Sequence, residues 1–257
     1  MQTVHRAVYP SLAGASVFVT GGASGIGAEI VRAFADQAAR VAFVDIDAQA
    51  GEALARGLAD APGGAPLFRA CDLRDIDALR EAMAEAGRTN GDIAVLVNNA
   101  ANDTRHALAD LTVEAWDDRL AVNLRPMVFA AQAAAAQMRR RGGGSIINFG
   151  SISWKTATAG MVGYTTAKAA VHGLTRSLAR ELGPDHIRVN TLTPGWVMTE
   201  RQKALWVDAA AEAQIDQMQC LPGRLQPADI AAMTLFLAAD DSRFCSAQDF
   251  TVDGGWA

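Results

Sequence analysis

Residues 16–27 read Ser-Val-Phe-Val-Thr-Gly-Gly-Ala-Ser-Gly-Ile-Gly, an apolar run that passes directly into a glycine-rich turn. The apolar run predicts a buried strand, and the pattern of Ile26–Gln37 behind the turn predicts a helix. Glycines at 21, 25 and 27 let the backbone turn tightly, approach a pyrophosphate and pack the helix against the strand. The stretch therefore predicts a dinucleotide site, whereas a glycine-rich turn without these flanking elements would indicate only a flexible loop.

Short apolar runs alternate with longer helical patterns along the rest of the chain. The predicted strands are Ser16–Thr20, Arg40–Val44, Pro66–Ala70, Ile93–Val97, Ser145–Phe149, Arg188–Leu192 and Gln248–Val252. The predicted helices are Ile26–Gln37, Ala48–Leu58, Ile76–Ala86, Ala115–Met138, Tyr164–Leu182 and Ala228–Ala238. Alternating strands and helices imply parallel strands, right-handed crossovers and helices on both faces. We therefore predict one α/β domain over residues 1–257, with a single doubly wound parallel sheet, a Rossmann fold.

Residues 196–221 interrupt this alternation, because they follow the Pro194-Gly195 break and are rich in Ala, Gln and Met. The segment has enough helical character for one or two short helices. An insertion after a strand end lies over the carboxyl edge of the sheet, where ligands bind in open α/β folds. We therefore predict a substrate lid here.

The composition is that of a folded globular protein, with 50% hydrophobic residues, 20% charged residues and a net charge of −5. The run Arg139–Arg141 precedes glycines and fits a helix C-terminus, so we expect no nucleic-acid partner. Cys71, Cys220 and Cys245 are isolated, which predicts neither a metal site nor a disulfide framework. The start MQTVHRAVYPSL lacks an apolar leader core, and no stretch predicts a membrane span, so we expect a cytoplasmic protein.

Asp45 ends the second predicted strand, about 20 residues beyond the glycines. An acid at this point can bind the ribose 2′-hydroxyl and would repel a 2′-phosphate. Gly22, Ala23 and Ser24 offer no positive charge for such a phosphate. The alternative is a solvated strand-end carboxylate, but together with the glycine turn Asp45 predicts NAD rather than NADP.

Tyr164 and Lys168 stand four residues apart in a chain with only two tyrosines. That spacing sets both side chains on one helix face. A cation beside a phenol favours the phenolate, and a tyrosine tuned in this way can take a proton from a substrate hydroxyl. The pair predicts a catalytic centre, the alternative being an exposed pair on a helix surface.

The ordered motifs resemble those of the short-chain dehydrogenase/reductase family along essentially the whole chain. They are Thr20–Gly27, Asn98-Asn99-Ala100, Asn123, Ser151, Tyr164-x-x-x-Lys168 and Pro194-Gly195. One departure is Ala101, which stands where the family has glycine and adds a methyl group near the nicotinamide edge.

The resemblance implies a role for each motif residue. Tyr164 would be the general base of alcohol oxidation, and Ser151 would hydrogen-bond the reacting oxygen. Lys168 would also hold the nicotinamide ribose, and Asn123 would position it through a water-linked proton relay. The expected cofactor contacts are Gly21, Ser24, Gly25, Ile26, Gly27, Asp45, Asp72, Leu73, Asn99, Tyr164, Lys168, Val197 and Thr199. The alternatives are structural: Ser151 as a cap with Ser153 as its rival, and Asn123 as a kink residue inside a helix.

Several stretches are similar to bacterial NAD-dependent aldose 1-dehydrogenases of the D-xylose type. They are 9–12, 102–106, 147–154, 219–221 and 253–256. This similarity implies NAD-dependent oxidation of an aldose at C1 to the aldonolactone. The candidate substrate residues are Asn102, Arg105, Ser151, Ser153, Trp154, Tyr164 and Gln202, with Asp103 as a further polar group and Trp154 or Trp196 as an aromatic face. Because the residues after Trp154 and those of 196–218 depart from that subgroup, the particular sugar stays open.

Three other functions compete with this interpretation. A 2-keto-3-deoxy sugar acid would use Arg105 or Arg201 as a carboxylate clamp. A 3-oxoacyl or ketone reductase would use NADPH, which Asp45 disfavours, and an NAD-sensing protein without catalysis would be expected to lack one of the motif residues.

The family resemblance also implies a homotetramer, in which the tail after Asp253, with Trp256, would reach a neighbouring site.

Overall fold

The computed structural model describes residues 7–257 and contains a sheet of seven parallel strands. The strands are Ser16–Thr20 (β1), Arg40–Asp45 (β2), Leu67–Ala70 (β3), Val95–Asn98 (β4), Gly144–Phe149 (β5), Ile187–Pro194 (β6) and Asp249–Val252 (β7). The helices are Gly25–Asp36 (α1), Ala48–Gly57 (α2), Ile76–Asn90 (α3), Val113–Asn123 (α4), Arg125–Arg141 (α5), Val162–Leu182 (α6), Glu200–Leu205 (α7), Ala209–Met218 (α8) and Pro227–Ala238 (α9).

The strand order is β3-β2-β1-β4-β5-β6-β7, so the direction of winding reverses between β1 and β4. At that reversal Thr20 pairs with Val44 on one side and with Asn98 on the other. The carboxyl ends of the central strands therefore meet at one edge of the sheet. In open α/β sheets ligands bind in the crevice at this point. The predicted fold class is confirmed, and the glycine turn after β1 opens into this crevice.

Two apolar cores cover the two faces of the sheet, which explains why the strand sequences are apolar throughout. On one face α1 packs against α9, and on the other α3 packs against α5. All five residues of β1 are buried. The rigid two-sided packing fixes the strand ends, and the strand ends carry the site.

The helix predicted over Ala115–Met138 is two helices, and this prediction was wrong. Helix α4 ends at Asn123, Leu124 leaves the helical region (φ −134°, ψ −54°), and Pro126 lies in the first turn of α5. A proline ring clashes with the carbonyl group four residues earlier, so one helix cannot continue through this point. Elsewhere the predicted strands agree with the structure to within about two residues, the usual uncertainty of element ends.

The segment 196–221 contains α7 and α8, in agreement with the one or two short helices predicted there. The first six residues, which belong to the stretch predicted to lack a leader, lie outside the described part of the chain. Between residues 7 and 257 no helix combines the length and the apolar character that crossing a membrane requires.

Candidate active site

The glycine turn forms a cradle of backbone at the start of α1. Gly21 and Gly25 adopt positive φ angles of +66° and +53°, which only glycine adopts readily. The Asn99 side chain donates to the carbonyl oxygens of Thr20 (3.1 Å) and Gly21 (2.8 Å) and so ties the turn to the end of β4. The N-terminus of α1 therefore faces the crevice with its N–H groups, the arrangement that binds a phosphate.

Gly27→Ala is expected to weaken dinucleotide binding strongly, because a Cβ at this position would lie 1.8 Å from the Gly21 carbonyl oxygen. The clash must displace either the helix or the turn, and such overpacking costs about 1–3 kcal/mol of stability. The matched control is Gly57→Ala at the exposed end of α2, where a Cβ meets nothing within 4 Å. That variant should gain about 0.5–1 kcal/mol and bind NAD normally. Calorimetric NAD titration and urea denaturation measure both effects, and normal binding by Gly27→Ala would contradict this interpretation.

A groove of about 1090 Å³ runs along this edge of the sheet. Of the predicted cofactor contacts it is lined by Gly21, Ser24, Gly25, Ile26, Gly27, Asp45, Asp72, Leu73, Asn99, Tyr164 and Thr199. The Asp45 carboxylate accepts hydrogen bonds from the Ala23 N–H (2.9 Å) and the Asp47 N–H (3.1 Å), so it is fixed beside the glycine turn. The cradle, the groove and this carboxylate fit an elongated dinucleotide.

Asp72 lies in the groove, but its carboxylate is engaged within the chain. The Arg74 guanidinium donates to it, and this hydrogen bond lowers the pKa of the Asp72 carboxyl group. Arg74 also reaches Asp118 on α4 at 3.0 Å. Arg74, a cation that lines the groove, was not predicted as a site residue. The only sequence feature that pointed to it is that it follows the predicted contacts Asp72 and Leu73.

Ser151, Tyr164 and Lys168 come together where β5 ends against α6. The Ser151 side chain lies beside the Tyr164 phenol and acts to lower its pKa. Lys168 is 1% exposed, its Nζ donates to the Phe149 carbonyl oxygen at 2.7 Å and lies 5.6 Å from the centre of the Tyr164 ring. The four-residue spacing on α6 thus places the phenol and the amine together, and the end of β5 brings the Ser151 hydroxyl to them.

Burial is the largest cause of the pKa shifts of Tyr164 and Lys168. Burial raises the pKa of Tyr164 to about 12, the hydrogen bond from Ser151 opposes this, and the charge of Asp103 adds to it. Burial lowers the pKa of Lys168 to about 7, and Asp103 opposes that change. The expected lowering of the Tyr164 pKa by Lys168 is therefore not present in the chain alone, because a lysine near its pKa carries only part of its charge.

Lys168→Met should change how stability depends on pH. Between pH 7 and 10.5 the unfolded lysine binds a proton that the buried one lacks, so the free energy of unfolding of the wild type rises with pH. The raised pKa of Tyr164 acts in the opposite direction only above pH 10. Urea denaturation of the cofactor-free protein should show this rise in the wild type and its loss in the variant. Lys203→Met, at an exposed lysine of α7, is the control and should retain the rise.

Asn123 lies fully buried at the end of α4. Its Oδ1 accepts from the Asn102 N–H at 2.8 Å, and its Nδ2 donates to the carbonyl oxygens of Asn102 (3.2 Å) and Arg119 (3.0 Å). The side chain therefore fixes the loop that follows β4 against the helix break. The alternative of a kink residue agrees with this position at the helix break, whereas the relay that positions Lys168 stays a prediction.

A second cavity of about 780 Å³ adjoins the groove on the lid side. The two spaces share Ile26, Asn99, Ala101, Asp103, Tyr164, Thr199 and Gln202. Lys168 and Val197, predicted as cofactor contacts, line the second cavity, and Thr199 caps α7 through its hydroxyl. Tyr164 thus stands at the junction of a cofactor-sized groove and a smaller cavity, where a hydride donor and an acceptor would meet.

Five of the seven candidate substrate residues line this cavity, namely Arg105, Ser151, Ser153, Tyr164 and Gln202. Asn102 lines the groove instead, and its Oδ1 accepts from the Thr104 hydroxyl at 2.6 Å. Trp154 turns towards His172, to which its indole N–H donates at 3.0 Å. The aromatic face is provided by Trp196, whose ring lies 6.2 Å from that of Trp256.

Trp256 lines the cavity of its own chain, and the expected reach of this tail to a neighbouring subunit stays a prediction. The lid also contributes Gln214 and Met218 of α8, which the sequence analysis missed because α8 has no motif. The Arg105 guanidinium stacks on the Trp206 ring at 3.9 Å and so joins the loop after β4 to the lid. Only the folded chain brings these elements to one space.

Comparison with known proteins agrees with this geometry. A family model described as enoyl-(acyl carrier protein) reductase matches residues 21–257. The chain is 50% identical to D-xylose 1-dehydrogenase of Caulobacter vibrioides over 97% of its length and 98% of that protein. It is 48% identical to the probable galactose dehydrogenase GalD of Rhizobium meliloti, with coverage of 98% and 99%.

Solved structures share the fold. A short-chain type dehydrogenase/reductase from Mycobacterium ulcerans superposes with a TM-score of 0.91 at 27% identity, covering 96% of this chain and 90% of that one. A blue fluorescent protein from a metagenomic library, in complex with NADPH, gives a TM-score of 0.88 at 35% identity, with coverage of 96% and 99%.

The fold and the paired cavities around Tyr164 define an oxidoreductase that acts on CH–OH groups with a nicotinamide cofactor. The chain belongs to the short-chain dehydrogenase/reductase family. The resemblance that the ordered motifs indicated is thereby confirmed.

Proposed function

We propose that this protein is an NAD-dependent sugar dehydrogenase that oxidises an aldose at C1 to the aldonolactone. The observation that carries the proposal is the position of Ser151, Tyr164 and Lys168 at the junction of the groove and the cavity. The relatives named D-xylose 1-dehydrogenase and probable galactose dehydrogenase, at 50% and 48% identity, support a sugar as the substrate.

The reaction assigns one task to each side chain. Ser151 donates a hydrogen bond to the reacting hydroxyl oxygen, and the Tyr164 phenolate takes its proton. A bound nicotinamide ring would supply the hydride acceptor. Lys168, close to neutrality in the chain alone, stabilises the phenolate when it holds a proton, and its main-chain anchor at Phe149 keeps its amine beside the phenol.

NAD is the proposed cofactor because Asp45 is held beside the glycine turn by two backbone N–H groups. A carboxylate in this position accepts hydrogen bonds from the ribose hydroxyls and repels a 2′-phosphate. A structural relative binds NADPH, so the preference of this protein for NAD over NADP has to be tested. The substitution Asp45→Ser provides that test.

The cavity suits a small polar ring. Its lining combines the indoles of Trp196 and Trp256 with the polar side chains of Asp103, Ser151 and Ser153. The Ser153 hydroxyl is buried and has no hydrogen-bond partner among the described residues. Sites built from such paired polar groups select substrates by their hydroxyls.

The competing substrates have less support in this geometry. Arg201, one of the two candidates for a sugar-acid clamp, is paired with Asp103 at 3.3 Å, and Arg105 is stacked on Trp206. A 3-oxoacyl or ketone reductase would use NADPH, which the Asp45 carboxylate beside the glycine turn opposes. A sensing protein without catalysis would not need Ser151, Tyr164 and Lys168 together.

The test is NADH formation from NAD with a panel of aldoses, polyols and 2-keto-3-deoxy acids, followed by identification of the product. Rapid turnover of one or two aldoses with a lactone product would establish the proposal and name the sugar. Turnover only of a keto-deoxy acid, or of acyl ketones in the reverse direction, would retain the fold and the mechanism but overturn the substrate.

A further inference from the structure

We propose that Asp103 is a specificity residue that binds the hydroxyl group on the carbon next to the reacting one. The inference rests on the proposed function and narrows its substrate class to sugars that carry a hydroxyl at C2. It starts from the position of Asp103, whose carboxylate stands at the junction of the groove and the cavity together with Tyr164.

The negative charge of Asp103 acts on both Tyr164 and Lys168. It raises the pKa of Tyr164 and the pKa of Lys168, as expected for a carboxylate facing the same small space. Because Asp103 lines the same cavity as Ser151 and Tyr164, a substrate whose reacting oxygen lies at these two residues brings the groups on its neighbouring atoms near the carboxylate. On a sugar ring oxidised at C1, the C2 hydroxyl is the hydrogen-bond donor nearest to the reacting carbon.

The carboxylate is held in place by the lid and retains acceptor capacity. Its Oδ2 accepts from Gln202 Nε2 at 2.7 Å, and its Oδ1 accepts from the Arg201 guanidinium at 3.3 Å and 3.4 Å. A carboxylate has about four lone-pair sites, so a further donor can be accepted. The side chain is 23% exposed, so a hydroxyl can approach it.

The groups around Asp103 fix its geometry. The Gln202 amide also accepts from the Trp196 indole N–H at 3.0 Å, so the carboxylate, the amide and the aromatic wall form one connected unit. A preorganised carboxylate forms a short, charge-assisted hydrogen bond with a hydroxyl group. Removal of that hydroxyl leaves the carboxylate without its donor, which is how polar sites reject deoxy analogues.

The experiment compares kcat/KM for D-xylose with 2-deoxy-D-xylose and for D-galactose with 2-deoxy-D-galactose, in the wild type and in Asp103→Asn. We expect the wild type to prefer the parent sugar by about 10- to 100-fold, the range of one hydrogen bond to a charged group. In Asp103→Asn the preference should fall to within a few-fold. Because each variant is tested with the same sugar pair, the intrinsic reactivities of the sugars cancel.

This ratio separates substrate binding from an indirect effect on the lid. A loosened lid would slow both sugars of a pair alike and leave the ratio unchanged. Asp110→Asn, in a turn that lines neither space, is the matched control and should retain the wild-type ratio.

Two results would overturn the inference while leaving the proposed function intact: aldose turnover without preference in the wild type, or a preference that survives in Asp103→Asn. No turnover of any aldose would overturn both. Should Asp103→Asn fail to fold, Asp103→Ser replaces it in the same comparison with the same sugar pairs.

Discussion

Tyr164→Phe is expected to lower sugar oxidation by about 10²- to 10⁴-fold, the usual contribution of a general base. Phenylalanine keeps the ring in its place but removes the oxygen that takes the substrate proton. Because the substitution removes one hydroxyl and leaves the glycine turn and Asp45 in place, NAD binding should be largely unchanged. Steady-state NADH formation and calorimetric NAD titration measure the two effects separately.

The matched control is Tyr9→Phe, which removes the same oxygen from the only other tyrosine of the sequence. Tyr9 packs against the core far from the junction, so turnover should remain at the wild-type level. Equal activity of Tyr164→Phe and the wild type would contradict the assignment of the base.

The pH dependence gives a second test of Tyr164. The phenolate is the active form, and burial raises the pKa of Tyr164 to about 12 in the chain alone. The wild-type kcat/KM for oxidation should therefore increase with pH through the neutral and mildly alkaline range. The residual activity of Tyr164→Phe should lack this increase.

Asp45→Ser is expected to shift the cofactor preference towards NADP. The variant loses a charge-assisted hydrogen bond to the ribose, which costs about 10- to 100-fold in kcat/KM for NAD. It also loses the repulsion of a 2′-phosphate, so kcat/KM for NADP should rise. The ratio of the two values, measured with the same sugar, reports both changes.

Asp75→Ser is the control for this substitution. The exposed Asp75 carboxylate lines neither space and caps α3 by accepting from the Ala78 N–H at 2.9 Å, a role that serine also fills. Its cofactor ratio should equal that of the wild type. An unchanged ratio in Asp45→Ser would mean that the 2′-hydroxyl is bound by another group.

The alternation of apolar runs and helices was enough to predict the fold, because a strand buried on both faces must be apolar throughout. The motif residues were predictable for a similar reason: the glycine turn and the Tyr164–Lys168 spacing are local patterns that stay together in any structure. The break at Leu124 was missed, although Pro126 was its signal, because residues with helical character continue on both sides.

The sequence by itself determined the sheet, the cofactor turn and the pair on α6, since each depends on neighbours within a few residues or on the periodicity of burial. Only the tertiary structure decided which side chains line the cavity. It joined Asp103 to Gln202 across 99 positions of the chain, turned Trp154 away to His172 and brought Trp256 against Trp196. Such contacts depend on how loops of different strands meet at one edge of the sheet, and no local pattern encodes that meeting.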